Sequence, residues 1–456
     1  MAAHVIDSRI FRDQFSTPEM REIFSDTNTI QRWIDVEVAL ARVQADLGIV
    51  PGAAASEIAE KGRVDLLDLD ELRDEINRTA HPIVPLLKLL RRICGDGAGE
   101  FLHWGATTQD IVDTGTVLQI REALGLIVRR HALLRDDLLR LARFHRDTIM
   151  VGRTHGQQAL PITFGFKVAV WVAEVDRNHQ RLTEMRRRVL QGQFSGAVGT
   201  LAALPEQGIA VQEQLMSRLA LECPMISWHS ARDGIAELMT VLAICASTVG
   251  KIANEIYHLQ GTEIAELEEP CPRGKVGSST MPHKRNPPVC EAIVALVRTM
   301  RSIVPLALEG MMAEHERDKV GLQTEREFIG RAFCTVDAAL QKMLYVIRDL
   351  TVRPERMEVN LHILGGLLMS EPIMMRLGEM IGRQRAHEIV HEICTYAFEQ
   401  QIDIKDVLRA HPEVSATLTV DEIDSLLDPH RYIGLSGFFV DRVIREVTAG
   451  GMRGSA

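Results

Sequence analysis

The segment Val117–Leu141, VLQIREALGLIVRRHALLRDDLLRL, decides the fold class of this chain. Its apolar residues recur at steps of three, four or seven, and arginines and aspartates stand between them. The apolar positions are Val117, Ile120, Leu124, Ile127, Leu134, Leu138 and Leu141. Because residues at these spacings share one helix face, the pattern predicts a helix of about ten turns, far longer than the globular average. The sequence therefore predicts an all-α protein.

The same helical spacing recurs in several other windows. It predicts long helices from near Pro161 to about 190, from Ala231 to about 267, from 289 to about 312, and over 325–350. Shorter helices are predicted over 29–47, 54–61, 67–77, 354–361, 371–381, 383–400, 404–409 and 420–427. We expect an N-terminal helical domain over 1–110, a central long-helix bundle over 111–351, and a small C-terminal helical domain over 352–456.

Composition excludes several classes of protein. The 456 residues are 46% hydrophobic, 25% charged and only 5% aromatic, which is typical of a soluble globular chain with an aliphatic core. A net charge of −10 argues against a nucleic-acid binder, although an anionic substrate can still occupy a local basic pocket. The longest uncharged apolar stretch, 238–250, is too short to span a bilayer. We expect no nucleic-acid and no membrane partner.

The cysteines and the N-terminus indicate the compartment. Seven scattered cysteines, without a CxxC pair, are typical of a reduced chain rather than a disulfide framework. The first residues, MAAHVIDSRIF, lack the basic and apolar regions of a signal peptide. We therefore expect a cytoplasmic protein.

Three loops rich in Gly, Ser, Thr and His interrupt the helices. The segment 277–287, GSSTMPHKRNP, carries a hydroxyl, a lysine and an amide that can close over an anion, although a solvent-exposed linker has the same composition. The segment 103–110, HWGATTQD, can hold a carboxylate at a helix N-terminus or can simply cap that helix. The segment 152–158, GRTHGQQ, offers His155 as a general acid or base, or as a structural loop residue.

A fourth motif points to a different chemistry. His387 and His391 form an HExxH pattern that would bind zinc from one helix face. The motif lies in a short late helix, and the sequence shows no third ligand. We therefore interpret it as part of an amphipathic surface helix and expect no metal.

Taken together and in this order, the three loops resemble those of the fumarase/aspartase superfamily, whose signature loop matches 277–287. The resemblance extends over nearly the whole chain and is strongest to the 3-carboxy-cis,cis-muconate cycloisomerase-like branch, with adenylosuccinate lyase next. It implies the fumarase/aspartase fold, as a homotetramer with a twenty-helix core and active sites shared by three subunits. It also implies reversible elimination from a small dicarboxylate substrate without a cofactor, often with release of fumarate.

The resemblance assigns a role to each motif residue. Ser278 is the expected base, His155 the expected acid that protonates the leaving group, and Glu291 the carboxylate that makes His155 more basic. The base would leave an aci-carboxylate intermediate, which needs positioned donors. The expected substrate-binding residues are Thr107, Thr108, Gln109, Thr154, Lys284, Asn286, His81, Arg317 and Arg326.

Departures from the two branches narrow the activity. His155 and Glu291 stand where the cycloisomerases would carry a tryptophan and a small residue, and His81 matches the adenylosuccinate lyases. Adenylosuccinate itself fits poorly, because Leu322 replaces an expected phosphate-binding serine. The main hypothesis is a carbon–nitrogen lyase, or an epimerase, acting on an N-substituted aspartate. The alternatives are a cycloisomerase of aromatic catabolism, an adenylosuccinate lyase, a non-catalytic crystallin-like protein and a zinc hydrolase.

Overall fold

Helices dominate the chain, and the computed structural model describes residues 4–95, 97–272, 274 and 280–453. Up to residue 144 the elements are α1 (Arg12–Phe15), α2 (Pro18–Ile23), α3 (Asp26–Asp46), α4 (Gly52–Lys61), α5 (Leu69–Thr79), α6 (Ile83–Ile93) and α7 (Thr108–Phe144). Between residues 149 and 259 they are β1 (Ile149–Thr154), β2 (Gln157–Thr163), α8 (Phe164–Glu184), α9 (Arg186–Val189), α10 (Gly208–Leu219) and α11 (Asp233–Leu259).

The remaining elements complete the helical fold. They are β3 (Leu267–Glu268), α12 (Pro288–Glu309), α13 (Lys319–Arg348), β4 (Thr351–Val352), α14 (Pro354–Leu361), α15 (Ser370–Ile381), α16 (Arg383–Gln400), α17 (Ile404–Ala410), α18 (Pro412–Thr417), α19 (Val420–Leu426) and α20 (Ser436–Arg453). Short 3₁₀ turns occupy Val5–Asp7, Val64–Leu66, Ala98–Phe101, Leu367–Met369 and Pro429–Arg431.

The long helix predicted from the apolar spacing is confirmed. Helix α7 has 37 residues, and six of the seven apolar positions on the predicted face are almost completely buried. Helix α12 also lies close to its predicted bounds, and α14 and α16 match theirs. Burial of a continuous apolar face supplies most of a helix's stability, so the period of three to four predicts these elements well.

The prediction of a helix start near Pro161 is wrong. Residues 149–154 and 157–163 form the antiparallel pair β1–β2, in which Val151 lies opposite Pro161, and the helix begins only at Phe164. The turn between the strands has positive φ at His155 (52°) and Gly156 (77°), which is typical of a tight two-residue hairpin. Proline is tolerated here because a two-stranded sheet leaves its missing N–H on an edge.

Other boundaries differ from the predictions for local reasons. Helix α11 ends at Leu259 instead of continuing to 267, because turns centred on Gly261 precede β3. The periodicity also missed α6 and α20. In α6 the prolines at 82 and 85 stand at the N-cap and in the first turn, where the helix needs no backbone donor.

Each of two compact units in the described chain has a buried core. The first contains Met1–His131, Asn178–Val249 and Ala292–Gln341, and its buried clusters include Ala41, Ala54 and Ile58. The second contains Ala132–Arg177, Gly250–Glu291 and Lys342–Ala456, with clusters around Ile389 and around Val151. The three-domain division with boundaries at residues 110 and 351 stays a prediction, as does the tetramer.

Helix α11 is the one described helix that is long and apolar enough to cross a membrane. Its most apolar window is 72% buried inside the protein, as expected for a core helix of a soluble protein.

Candidate active site

In the first unit, several of the predicted substrate residues line one cavity of about 380 Å³. The cavity lies between the end of α5, the start of α6, the start of α7 and the start of α13. Its lining residues are Ile76, Asn77, Ala80, His81, Pro82, Thr108, Gln109, Arg317, Lys319, Leu322, Gln323 and Arg326. Five of these twelve residues are predicted substrate-binding residues. Thr107 precedes Thr108 in the chain but is not among these lining residues.

The N-terminus of α7 is fixed by a buried carboxylate. The Oδ2 atom of Asp110 accepts hydrogen bonds from the backbone N–H of Thr107 (2.9 Å) and of Gly196 (3.0 Å). Its Oδ1 atom accepts from the N–H of Ser195 (3.0 Å) and lies 2.9 Å from Nε2 of His229. One side chain therefore caps the helix and fixes the position of Thr107 and Thr108, so the capping interpretation of 103–110 holds for Asp110.

His81 and Thr108 form a directed pair on the cavity wall. The Nδ1 atom of His81 accepts a hydrogen bond from the backbone N–H of Val84 (3.2 Å), so the ring proton is on Nε2. Nε2 lies 3.1 Å from Oγ1 of Thr108 and donates to it, which leaves the threonine hydroxyl hydrogen for a ligand. Burial lowers the pKa of His81, and nearby Lys319 lowers it further, so the ring is neutral at pH 7.

Gln109 has a different environment from its two threonine neighbours. It is buried, and its Nε2 atom donates to Oδ2 of Asp113 (3.1 Å) and to the carbonyl of His229 (2.9 Å). Asp113 in turn accepts two hydrogen bonds from Arg232, which also pairs with Glu325. The Gln109 amide hydrogens are thus committed to a buried ionic network beneath the cavity.

Three cations and no carboxylate occur among the described residues of the cavity wall. Arg317 donates to the carbonyl of Ala197, Arg326 donates to Oε1 of Gln323 (3.2 Å), and Nζ of Lys319 donates to the carbonyl of Ala80 (3.1 Å). Ala80 presents that carbonyl from a left-handed conformation (φ 53°) at the end of α5. An excess of positive charge in a concave site favours an anionic ligand.

Sequence reasoning missed Lys319, Gln323 and Asn77 in this wall. Lys319 and Gln323 lie between the predicted residues Arg317 and Arg326, on the first turns of α13. The helix was predicted to begin only at 325, so these residues seemed to belong to a loop. An earlier helix start places them, as well as Arg317 and Arg326, next to the cavity.

The remaining predicted site residues that the structure describes, both catalytic and substrate-binding, belong to the second unit. Thr154 and His155 are exposed at the tip of the β1–β2 hairpin, and the positive φ of His155 holds its side chain on the turn. Lys284 is exposed, Asn286 is half-buried, and Glu291 is exposed in the first turn of α12. Ser278, the expected base, lies outside the described residues.

His155 and Glu291 were predicted to form a pair. In the described part of the chain no hydrogen bond or ion pair joins their side chains, and each is exposed to solvent. Their predicted cooperation therefore stays a prediction.

The HExxH motif lies on α16, where the rings of His387 and His391 stack with centroids 6.2 Å apart. Among the described residues, no group of three His, Cys, Asp or Glu side chains is arranged to hold a metal ion.

Comparison with known families assigns the chain. Residues 12–300 match the family described as Lyase, and residues 366–443 match the family described as Adenylosuccinate lyase C-terminus. The chain belongs to the fumarase/aspartase lyase superfamily. The resemblance inferred from the three loops is thereby confirmed, and the protein is an enzyme of this superfamily.

The lyase is similar to several known proteins over nearly its whole length. It is 43% identical over 452 residues to N-acetyl-S-(2-succino)cysteine lyase of Dickeya dadantii, covering 99% of both chains. It is 39% identical to adenylosuccinate lyase of Methanocaldococcus jannaschii, covering 98% of this chain and 96% of that one. The solved structure of 3-carboxy-cis,cis-muconate lactonizing enzyme from Pseudomonas putida has a TM-score of 0.91 and 36% identity, covering 97% and 99% of the two chains. The fold of this lyase is therefore the fumarase/aspartase fold.

Proposed function

We propose that this lyase catalyses the reversible β-elimination of fumarate from a small succinyl-substituted thiol or amine. The observation that carries the proposal is the cationic cavity in which His81 leaves the hydroxyl hydrogen of Thr108 available. A succinyl group carries two carboxylates, which this wall can bind by charge and by directed donors. Two of the similar proteins are named for succinyl-substituted substrates, one with sulfur and one with nitrogen at the bond to be broken.

The chemistry requires a base, a charge stabiliser and an acid. The base removes a proton from the carbon beside one carboxylate, and the negative charge moves onto that carboxylate as an aci-carboxylate. The bond to sulfur or nitrogen then breaks, the carbon–carbon double bond of fumarate forms, and the leaving group takes up a proton. In this proposal Ser278 is the base, Lys284 and Asn286 stabilise the dianion, and His155 supplies the proton.

The cavity wall favours a small leaving group over a nucleotide. Leu322 gives the wall an apolar side chain near the cationic Lys319 and Arg326. Leucine offers no hydroxyl to a phosphate, and its apolar side chain suits a short amino-acid derivative that has an apolar body and one carboxylate. N-acetyl-S-(2-succino)cysteine and simple N-substituted aspartates are therefore the first substrates to test, and adenylosuccinate is the third.

The experiment is a substrate panel run in both directions. Purified protein is incubated with succinyl thioethers, N-substituted aspartates and adenylosuccinate, and fumarate is followed at 240 nm; the reverse reaction uses fumarate with thiols or amines. We expect turnover with at least one of the first two classes, lost in Ser278→Ala. A chain that neither forms nor consumes fumarate with any member contradicts the proposal.

The similarity to the muconate lactonizing enzyme favours one second candidate, a cycloisomerase. That reaction uses the same stabilised carbanion, but a carboxylate of the substrate replaces the external leaving group. It needs no acid for an amine or thiol. Turnover of 3-carboxy-cis,cis-muconate that persists in His155→Asn would favour this candidate over the lyase.

A further inference from the structure

Three buried carboxylates occur together around the short strand β3. Glu266 is 0% exposed, Glu268 is 5% exposed and Glu269 is 1% exposed. Strand β3 pairs with β4, with Leu267 opposite Val352, which fixes its backbone. Burying a carboxylate costs free energy unless the group is paired. The groups that pair with these three carboxylates therefore indicate their role in the structure.

Glu266 binds the strand that leads to the His155 turn. Its two oxygens accept hydrogen bonds from Nη1 and Nη2 of Arg153 at 2.9 and 2.7 Å, a two-pronged ion pair that fixes direction as well as distance. Nδ2 of Asn360 donates to the same carboxylate (2.8 Å). The strand register shifts between Gly152 and Arg153, directly before the residue that pairs with Glu266.

Glu268 binds the residue between Lys284 and Asn286. Nη1 of Arg285 donates to Oε1 of Glu268 at 2.9 Å. The backbone of Arg285 is held as well, because its carbonyl accepts from Nε2 of Gln260 (3.1 Å). Oε1 of Gln260 accepts from the N–H of Glu269 (2.8 Å), so this second connection leads back to the same acidic segment.

Glu269 caps the helix that carries Glu291. Its carboxylate accepts from the backbone N–H of Cys290 (2.8 Å) and of Val289 (3.1 and 3.2 Å), in the first turn of α12. A carboxylate at this position satisfies orphan donors and is favoured by the helix dipole. Glu291 follows directly in the chain.

We propose that Glu266, Glu268 and Glu269 form one acidic anchor, which positions His155, Lys284 and Glu291 for catalysis. The three carboxylates are positioning residues, because each acts on a segment that carries a catalytic candidate. The inference rests on the proposed function for the roles of those candidates. The anchor explains how these candidates are held in place. Its three carboxylates lie in the segment 266–269, which carries no catalytic motif.

The sharpest test compares two arginines that share Glu268. Arg285 pairs with it beside Lys284, whereas Arg353 pairs with it from the β4–α14 junction, so Arg353→Ala is a matched control for Arg285→Ala. We expect Arg285→Ala to lower kcat at least 10-fold with KM changed less than threefold, and Arg353→Ala to keep kcat within twofold. Arg285→Lys should recover most of the activity. Equal losses in both alanine variants, or none in Arg285→Ala, overturn the proposal.

A double variant separates positioning from direct substrate contact. If Arg285 acts through Glu268, the double variant Glu268→Gln and Arg285→Ala should lower kcat no further than Arg285→Ala alone. Additive losses would show that Arg285 acts independently of Glu268 and would overturn the anchor role of Glu268.

Hydrogen exchange gives a readout that needs no substrate. Amide exchange over residues 281–290, measured by mass spectrometry, should accelerate in Arg285→Ala and Glu268→Gln but not in Arg353→Ala. Unchanged exchange in all variants would overturn the anchor even in an active enzyme. If the wild-type chain turns over no succinyl substrate, the proposed function fails while this measurement still decides the anchor.

Discussion

At the residue scale, the position of the ring proton of His81 determines how the hydroxyl of Thr108 can bind a ligand. If Nδ1 of His81 carried that proton, the ring could not accept from Val84 and could not donate to the threonine. The observed arrangement turns a hydroxyl with both donor and acceptor capacity into a donor aimed at the cavity. Among the described residues no acceptor takes this hydroxyl hydrogen, so a bound anion can receive it without breaking another contact.

We expect Thr108→Val to lower kcat/KM by 10- to 100-fold, or about 1.4–2.8 kcal/mol, the usual contribution of a hydrogen bond to a charged group. Valine keeps the shape and loses the donor. Thr116→Val is the matched control, because the Thr116 hydroxyl donates to the carbonyl of Val112 in the same helix (2.8 Å). Steady-state kinetics of both variants test this prediction. Equal losses of kcat/KM in the two variants would contradict the role of Thr108 as a hydrogen-bond donor to substrate.

The contribution of His155 to kcat should depend on the leaving group of the substrate. A thiol has a pKa of about 8.5 and departs readily as a thiolate, whereas an amine must be protonated to leave. We expect His155→Asn to lower kcat at least 100-fold with an N-substituted aspartate and less than 10-fold with a succinyl thioether. Asparagine tolerates the positive φ of this turn, so the hairpin is retained. Equal losses with both substrates would argue against His155 as the proton donor.

Lys319 was not predicted, although its neighbours Arg317 and Arg326 were, because the family resemblance assigned no role to position 319. Its position depends on where α13 begins, and periodicity locates helix ends poorly. We expect Lys319→Gln to raise KM about 10-fold with kcat within threefold, since a cation that binds substrate and transition state alike affects only binding. Lys88→Gln, an exposed lysine paired with Glu75, is the control and should leave both constants unchanged. A kcat effect in Lys319→Gln would contradict this role.

At the element scale, the sequence predicted the long amphipathic helix α7 well but missed the β1–β2 hairpin and the helices α6 and α20. The apolar face of α7 repeats over seven positions, so a few misleading residues could not hide it. The β1–β2 hairpin has only six or seven residues per strand and contains a proline that is also typical of a helix start. The sequence signal for the hairpin is the His155–Gly156 turn. Without knowledge that the flanking segments pair as strands, this turn cannot be distinguished from an ordinary loop.

The N-terminus of α7 depends on one side chain, and this gives a stability prediction. Asp110→Asn keeps the size of the side chain but replaces one of two acceptor oxygens that serve Thr107, Ser195, Gly196 and His229. We expect a loss of about 2–4 kcal/mol in the free energy of unfolding, seen as a lower denaturant midpoint at constant slope. Asp26→Asn, exposed in the first turn of α3, should cost less than about 0.5 kcal/mol. Similar midpoints for both variants would contradict the role of Asp110.

At the scale of the whole molecule, the net charge and the charge of the cavity wall have opposite signs. The chain carries a net charge of −10, yet the described wall of the cavity has three cations and no carboxylate. Composition argued against a nucleic-acid partner but could not locate this cavity, because its residues come from separate parts of the chain, around α5, α6, α7 and α13. The motif resemblance found Thr108, Arg317 and Arg326, whereas the fold was needed to add Lys319 and to show that the amide of Gln109 is committed elsewhere.

The family resemblance implies a tetramer with shared active sites, and in such a tetramer two inactive variants should rescue each other. His155→Asn and Lys284→Ala should each be nearly inactive with an N-substituted aspartate. If the two residues reach a site from different subunits, random mixed tetramers contain intact sites, about a quarter of the total for an equal mixture. Co-refolding the variants should therefore restore roughly a quarter of wild-type activity at a mass near four times 50.9 kDa. Mixing folded tetramers without subunit exchange is the control and should restore none, and a co-refolded tetramer without activity would contradict shared sites.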